Sequence, residues 1–235
     1  MTDQHGFQLH EVGLQRDETT ILHDISVVIP DTGITVVAGP SGSGKSSLLR
    51  LLNRLDDPST GAIRWRGQDL TATEPSDLRR RVAMVFQNPV VFAGTVLDNL
   101  RTASPELSEP MARELLADVC LDPAWLARDA GRLSGGEAQR LCLARALTTE
   151  PDVVLADEPT ASLDSESRQG LEQLALEMVR PAGWIWVTHD TDQIGRLADH
   201  IVVVAEGTVL TSGPAADVAA SEDPVVRRSL DGTPP

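Results

Sequence analysis

The chain has 235 residues, 41% of them apolar and 23% charged. That is enough for one large α/β unit with a sizeable core, and too ordinary a balance for a disordered, collagenous or wholly membrane-embedded chain. Twenty Lys and Arg against 35 Asp and Glu leave a net charge of −15, which repels phosphate backbones and sets aside DNA or RNA as the main ligand.

Nineteen of the basic residues are Arg and one is Lys45, so the surroundings of that Lys matter. The opening MTDQHGFQLHE lacks the basic-then-apolar order of a signal peptide, and no run approaches the ~20 apolar residues of a spanning helix. A cytoplasmic chain is expected. Phe7 to Val12 and Ile21 to Ile29 read as strands, and Ala62 to Arg66 alternates in and out, so a small antiparallel sheet is predicted. Ile34 to Ala38 is a short apolar run followed by Gly39-Pro40-Ser41-Gly42-Ser43-Gly44-Lys45-Ser46 and then Ser47. This fits G-x-x-x-x-G-K-S between a strand and a helix, here Ser46 to Leu55. Glycines let backbone wrap an anion, and the helix N-terminus aims free N–H groups at it. Lys45 would reach the β- and γ-phosphates and the Ser46 hydroxyl would bind Mg²⁺.

Further apolar runs at Val82 to Phe86, Val153 to Ala156, Trp184 to Val187 and Ile201 to Ala205 alternate with helical periodicity. The pattern predicts an α/β fold with a mainly parallel, doubly wound sheet. Between about Thr95 and Ala130 no strand signal appears, and Glu109 to Cys120 carries Met111, Leu115, Leu116 and Val119 at helical spacing, so a helical insertion is expected. Asp157 and Glu158 end an apolar strand where such sheets present their ligand edge. Asp157 is placed to hold Mg²⁺, and Glu158 to accept a proton from an attacking water. Cys120 and Cys142, with no CxxC spacing, read as small core hydrophobes in amphipathic helices. The closing SEDPVVRRSLDGTPP, polar and Pro-rich, reads as a loosely held tail.

Leu133-Ser134-Gly135-Gly136-Glu137-Ala138-Gln139-Arg140 resembles the signature motif of ABC-type ATPases, ahead of a helix from Glu137 to Leu147. The remaining family elements follow in order: Gln87 in VFQNP, Ala161-Ser162-Leu163-Asp164 after the acidic pair, and His189 at the end of WIWVTH. The resemblance covers residues 7 to about 213. It implies a P-loop NTPase forming one domain over 1–235, with an antiparallel part at 7–33 and 61–67 and a RecA-like core at 34–94 and 140–213. A helical subdomain with the signature would occupy 95–139, and a tail 214–235.

The resemblance further implies an ATP-dependent head-to-tail homodimer. In it Lys45, Ser46, Gln87, Asp157, Glu158 and His189 of one copy face the γ-phosphate with Ser134, Gly135 and Gly136 of the other. Asp164 would cross the interface, Gln87 would touch Mg²⁺ and the attacking water, and His189 would sense the γ-phosphate. The family stacks an aromatic residue on adenine; the matching position here is Arg16, whose guanidinium plane can stack on a base too. His5, His10, His23 and His200 match no functional position of the family. A separate transmembrane permease is implied as partner, its cytoplasmic helices docking beside Gln87 and the helical insertion, with this chain on the cytoplasmic face of the membrane. The 85–99 segment looks most like stand-alone subunits for phosphate import or iron export. No appended C-terminal regulatory domain is expected. The competing readings are a repair- or translation-related ABC ATPase and a catalytically silent scaffold.

Overall fold

Residues 6–161, 163–177 and 183–232 are described by the computed structural model; His5 and Ser162 lie outside them. β1 (Phe7–Arg16) and β2 (Thr19–Ile29) pair as an antiparallel hairpin closing at Arg16 and Thr19. Asp17, in the two-residue turn, takes a left-handed φ of 52°, a conformation its short polar side chain tolerates. β3 (Ile34–Ala38) follows, then α1 (Lys45–Leu52), which ends three residues earlier than expected because the chain leaves the helix at Asn53. β4 (Thr60–Trp65) returns to the free edge of β1, and β5 (Gln68–Asp69) completes a four-stranded sheet in the order β2-β1-β4-β5.

Next come α2 (Pro75–Arg81), β6 (Val82–Val85) and three helices, α3 (Val96–Arg101), α4 (Glu109–Asp118) and α5 (Gly135–Leu147). The remainder alternates: β7 (Val153–Asp157), α6 (Ser165–Glu177), β8 (Gly183–Val187), α7 (Thr191–Leu197), β9 (His200–Ala205), β10 (Thr208–Pro214), α8 (Ala215–Ala219) and α9 (Pro224–Leu230). The second sheet runs β10-β9-β3-β8-β7-β6. Its strands are parallel except β10, which lies antiparallel on β9.

β3, β7 and β8 are buried at every position, the signature of a sheet covered on both faces. Alternate residues divide between two cores. Val36, Val154, Trp186 and Val203 face the helical insertion and α5 to α7. Val37, Leu155, Ile185 and Val202 face α1 and the antiparallel sheet. Register then sets the site: Asp157 pairs with Val187, and Val187 with Val37. Three strands therefore end level, and the residues after them share one edge.

Three expectations are corrected. The tail is anchored: Pro224 starts α9, Asp223 caps it, and Val226 and Ser229 are buried, a spacing of three that puts both on one helix face. Cys120 is exposed, at a left-handed φ of 57° beyond the end of α4, whereas Cys142 is buried. In α4 Leu116 and, beyond its end, Val119 are buried as expected, but Ala112 completes the stripe in place of Met111, which is half exposed.

Candidate functional site

The loop from Gly39 to Lys45 is held by its own lysine. Lys45, almost wholly buried, donates from Nζ to the carbonyls of Gly39 at 2.8 Å and Pro40 at 2.7 Å. Burial lowers its pKa, against the raising pull of Glu158 and Asp157. Two glycines have no substitute. A Cβ on Gly39, at φ 143°, would lie 1.9 Å from the Val204 carbonyl, and one on Gly44, at φ 103°, 2.6 Å from Leu22 Cδ2. The loop thus packs against β9 and the hairpin with only main chain between.

Behind it, Ser46 Oγ donates to Asp157 Oδ1 at 2.9 Å. Asp157 is buried, and burial raises its pKa; the Ser46 hydrogen bond, Lys45 and Arg50 oppose this, and Glu158 adds to it. Glu158 adopts a left-handed φ of 44°, unusual for a side chain of its size. Its main-chain N donates to Val187 O, the last bond of the β7–β8 ladder. The turn throws its carboxylate outward, where Oε2 accepts from Gln87 Nε2 at 3.1 Å and Oε1 lies 3.4 Å from His189 Nδ1.

A cleft of about 620 Å³ opens over these residues. Its floor is Ser41, Gly42, Gly44, Lys45, Ser46 and Ser47; one wall is Gln87, Glu158 and His189. Three further residues line it: Ile21, Asp231 and Gly232. Gly232 sits against His189, where an added Cβ would be 3.7 Å from the His189 carbonyl. Ile21 comes to the loop along its main chain, its carbonyl 3.3 Å from where a Cβ on Gly44 would stand. Asp231 and Gly232 arrive only because α9 docks, which no local pattern announces.

Gly39, Pro40, Ser43 and Asp157 stand behind this lining, whereas Arg16, Ser134, Gly135, Gly136 and Asp164 lie apart from it. Ser134 caps α5, accepting from Glu137 N while its own N–H donates to Glu137 Oε2 at 2.8 Å. The Gly135 Cβ position opens onto empty space. This N-terminus of a 13-residue helix, started two residues earlier than predicted, is therefore presented outward. Asp164 accepts from the main-chain N and the hydroxyl of Ser167 at the start of α6, and those hydrogen bonds hold its pKa down. Arg16, half exposed, gives its guanidinium edge to Asp56 beyond α1. Gln139 Nε2 donates to Phe86 O at 2.9 Å, tying the signature helix to the Gln87 segment.

The ABC transporter family model matches residues 22–161. Protein STAR1 of Oryza sativa subsp. japonica is 39% identical over 217 residues; these are 90% of this chain, which spans 63% of that protein. The phosphate import ATP-binding protein PstB of Pyrobaculum aerophilum is 38% identical over 219 residues, covering 84% of this chain and 86% of its own. Among solved structures, cbiO1 from Clostridium perfringens, part of the ABC transporter complex cbiONQ, superposes with a TM-score of 0.80 at 25% identity. It covers 96% of this chain and 95% of its own.

Proposed function

The chain belongs to the ABC transporter family as an ATP-binding, ATP-hydrolysing subunit, and on that premise we propose that it drives a separate membrane permease by ATP-dependent closure of a dimer. The observation that carries this reading is the division of the machinery. Lys45, Ser46, Gln87, Asp157, Glu158 and His189 converge on one sheet edge, while Ser134 to Gly136 start a helix whose exposed N-terminus lies outside the cleft. A second copy, head to tail, would bring that N-terminus over the phosphates, where its free N–H groups and partial positive charge bind anions.

Within each cleft, Gly39 and Ser41 to Gly44, including Ser43, offer main-chain N–H groups to the phosphates, Pro40, which has no N–H, shapes the loop and accepts from Lys45, and Lys45 neutralises the phosphates. Ser46 and Asp157 fit Mg²⁺: they are hard oxygen donors already in contact, and Asp157, whose pKa burial raises, is a buried carboxylate that a bound cation would stabilise in its charged form. With nucleotide, the ion would neutralise charge on the β- and γ-phosphates. Glu158 takes the proton from the attacking water, Gln87 orients that water and reports on it, and His189 holds the γ-phosphate oxygen. Asp164, at the tip of α6, meets the partner copy. Arg16 lies over the base, its edge fixed by Asp56 and its face free.

Docking of the permease belongs to the groove beside Gln87. Phe86, Val90 and Phe92 are exposed there at 41%, 58% and 47%, flanked by Arg79 and Arg145. Exposed apolar side chains in a row, Phe92 backed by the Arg145 guanidinium 4.7 Å from its ring centre, suit a helix end of a membrane protein. No helix among the described residues is long and apolar enough to cross a membrane. The chain would sit peripherally on the cytoplasmic face, held by this groove, with 95–139 the helical part that moves against the core at 34–94 and 140–213. Inorganic phosphate is proposed as the solute, on the likeness to PstB. The test is capture. Tagged Glu158→Gln protein, purified from gently solubilised membranes with ATP present, should bring down a stoichiometric multi-span protein, and Val90→Asp in the same chain should lose it. Recovery of ribosomes or DNA, or the same capture with Val90→Asp, would overturn the reading.

A further inference from the structure

The β7–β8 ladder ends at the bond from Glu158 N to Val187 O. Beyond it, among the described residues, no further main-chain hydrogen bond joins the segment after β7 to the segment after β8. Yet Glu158 and His189 stand 3.4 Å apart, so something else holds the two segments in register.

That link is a buried polar cluster on the sheet face opposite α1, centred on Gln193. Its side chain is 1% exposed and fully used. Oε1 accepts from Trp186 Nε1 at 3.2 Å, and Nε2 donates to Thr160 Oγ1 at 3.0 Å and to Glu172 Oε1 at 2.8 Å. The Gln193 main-chain N donates to Asp190 Oδ1 at 3.1 Å. Thr160 is two residues after Glu158, Asp190 follows His189, and Glu172 lies on α6, which starts next to Asp164. Two ion pairs extend the cluster: Arg196 grips Glu172 at 2.9 and 3.0 Å, and Arg168 reaches Asp190 at 3.2 Å. The main-chain N of Arg168 donates to Asp164 O. One amide thus touches, directly or through one neighbour, all three segments that carry Glu158, Asp164 and His189. No Gln193 atom lines the nucleotide cleft.

We infer that Gln193 is a positioning residue for hydrolysis: it bolts the His189 segment to the Glu158–Asp164 segment and so sets the base and the γ-phosphate contact at their working distance. The inference rests on the roles proposed above for Glu158 and His189. An amide suits the position because it must accept from the Trp186 indole and donate to Glu172 at the same time. Satisfied on every side in a dry environment, it fixes one arrangement rather than several. Misplacing reacting groups by about 1 Å can cost a hundredfold in rate while leaving ground-state contacts intact.

The experiment is steady-state hydrolysis with separate measurement of ATP affinity. Gln193→Leu, of similar volume, should lower kcat at least about tenfold with the Kd for ATP within about twofold, because the loop that binds phosphate is untouched. Gln193→Glu alone would set two carboxylates together and lose turnover. Combined with Glu172→Gln it restores the donor–acceptor pair and the net charge, though Arg196 keeps only one of its two contacts there, and kcat should recover to within about threefold of wild type. Thr160→Val, which removes a single contact, should give a smaller fall in kcat and serves if Gln193→Leu does not fold. Wild-type kcat in folded Gln193→Leu or Thr160→Val overturns the inference. So does an equal loss of kcat and ATP affinity without recovery in the swapped pair. Glu158→Gln, run alongside, separates the two claims: normal turnover there sinks the assigned base, whatever Gln193 does.

Discussion

Replacing Glu158 by Gln removes a proton acceptor and a charge while leaving shape almost unchanged. In the native cleft Oε2 accepts from Gln87 at 3.1 Å and Oε1 faces His189 at 3.4 Å. A glutamine keeps one acceptor for Gln87 and turns its NH₂ toward the imidazole, whose Nδ1 accepts in the tautomer protonated at Nε2. The turn and the cleft therefore survive. What disappears is general-base assistance, worth about 10²–10⁴ in rate, or ~3–5 kcal/mol of barrier. Affinity moves the other way, since Asp157, Glu158 and Asp231 crowd negative charge around a phosphate site and one charge is gone. Phosphate release should fall by the stated factor while calorimetry gives ATP binding equal to or tighter than wild type. Light scattering should show a dimer with ATP and a monomer without. Turnover within about threefold of wild type in a folded Glu158→Gln protein would refute the reasoning.

Other consequences are equally concrete. Asp157 is buried with a raised pKa, so it costs the nucleotide-free fold stability as pH rises from the ordinary carboxylate range through the raised value. Asp157→Asn should then raise Tm by a few degrees, for about 1 kcal/mol gained, while hydrolysis demands far more Mg²⁺; a lowered Tm by scanning fluorimetry would contradict this. Arg16→Ala should weaken ATP and GTP alike by about 0.5–2 kcal/mol, and unchanged calorimetric affinities for both would remove Arg16 from the base site. Burial lowers the pKa of His200, whose Nε2 has no partner. The unfolded chain therefore binds the extra proton first, and stability is lost as pH falls below the usual imidazole range; His200→Gln should flatten that slope in urea melts between pH 7 and 5.

Much of this architecture is legible because its elements answer to local physics. Parallel strands covered on both faces must be apolar throughout, so Ile34–Ala38, Val153–Asp157 and Gly183–Val187 announce themselves, and their ligand-facing ends with them. The loop at Gly39 to Gly44 is legible because two of its glycines leave no room for a side chain, Gly39 against the Val204 carbonyl and Gly44 against the Leu22 side chain. Periodicity in α4 is legible to within one position: Met111 and Leu115 border the buried stripe that Ala112 and Leu116 occupy. Illegible elements depend on distant chain. Asp231 reaches the cleft through the docking of α9, and a polar, Pro-containing stretch hides the spacing of Val226 and Ser229 that docks it. Gln193 is invisible for the same reason, since its partners Thr160, Glu172 and Trp186 lie 33, 21 and 7 residues away. Ser134 to Gly136 are conspicuous as residues, yet one chain does not carry them to the cleft.

That separation permits a direct test of the composite site. Lys45→Ala disables the phosphate loop and Gly135→Arg fills the open space at the signature; each protein alone should be inactive. In a head-to-tail mixed dimer both lesions fall in one site and the other site is intact. An equimolar mixture should then hydrolyse ATP at about a quarter of the wild-type rate, since random pairing makes half the dimers mixed and each keeps one of its two sites. A mixture as inactive as its components, or a Gly135→Arg protein that turns over normally by itself, would contradict a site completed by a second copy.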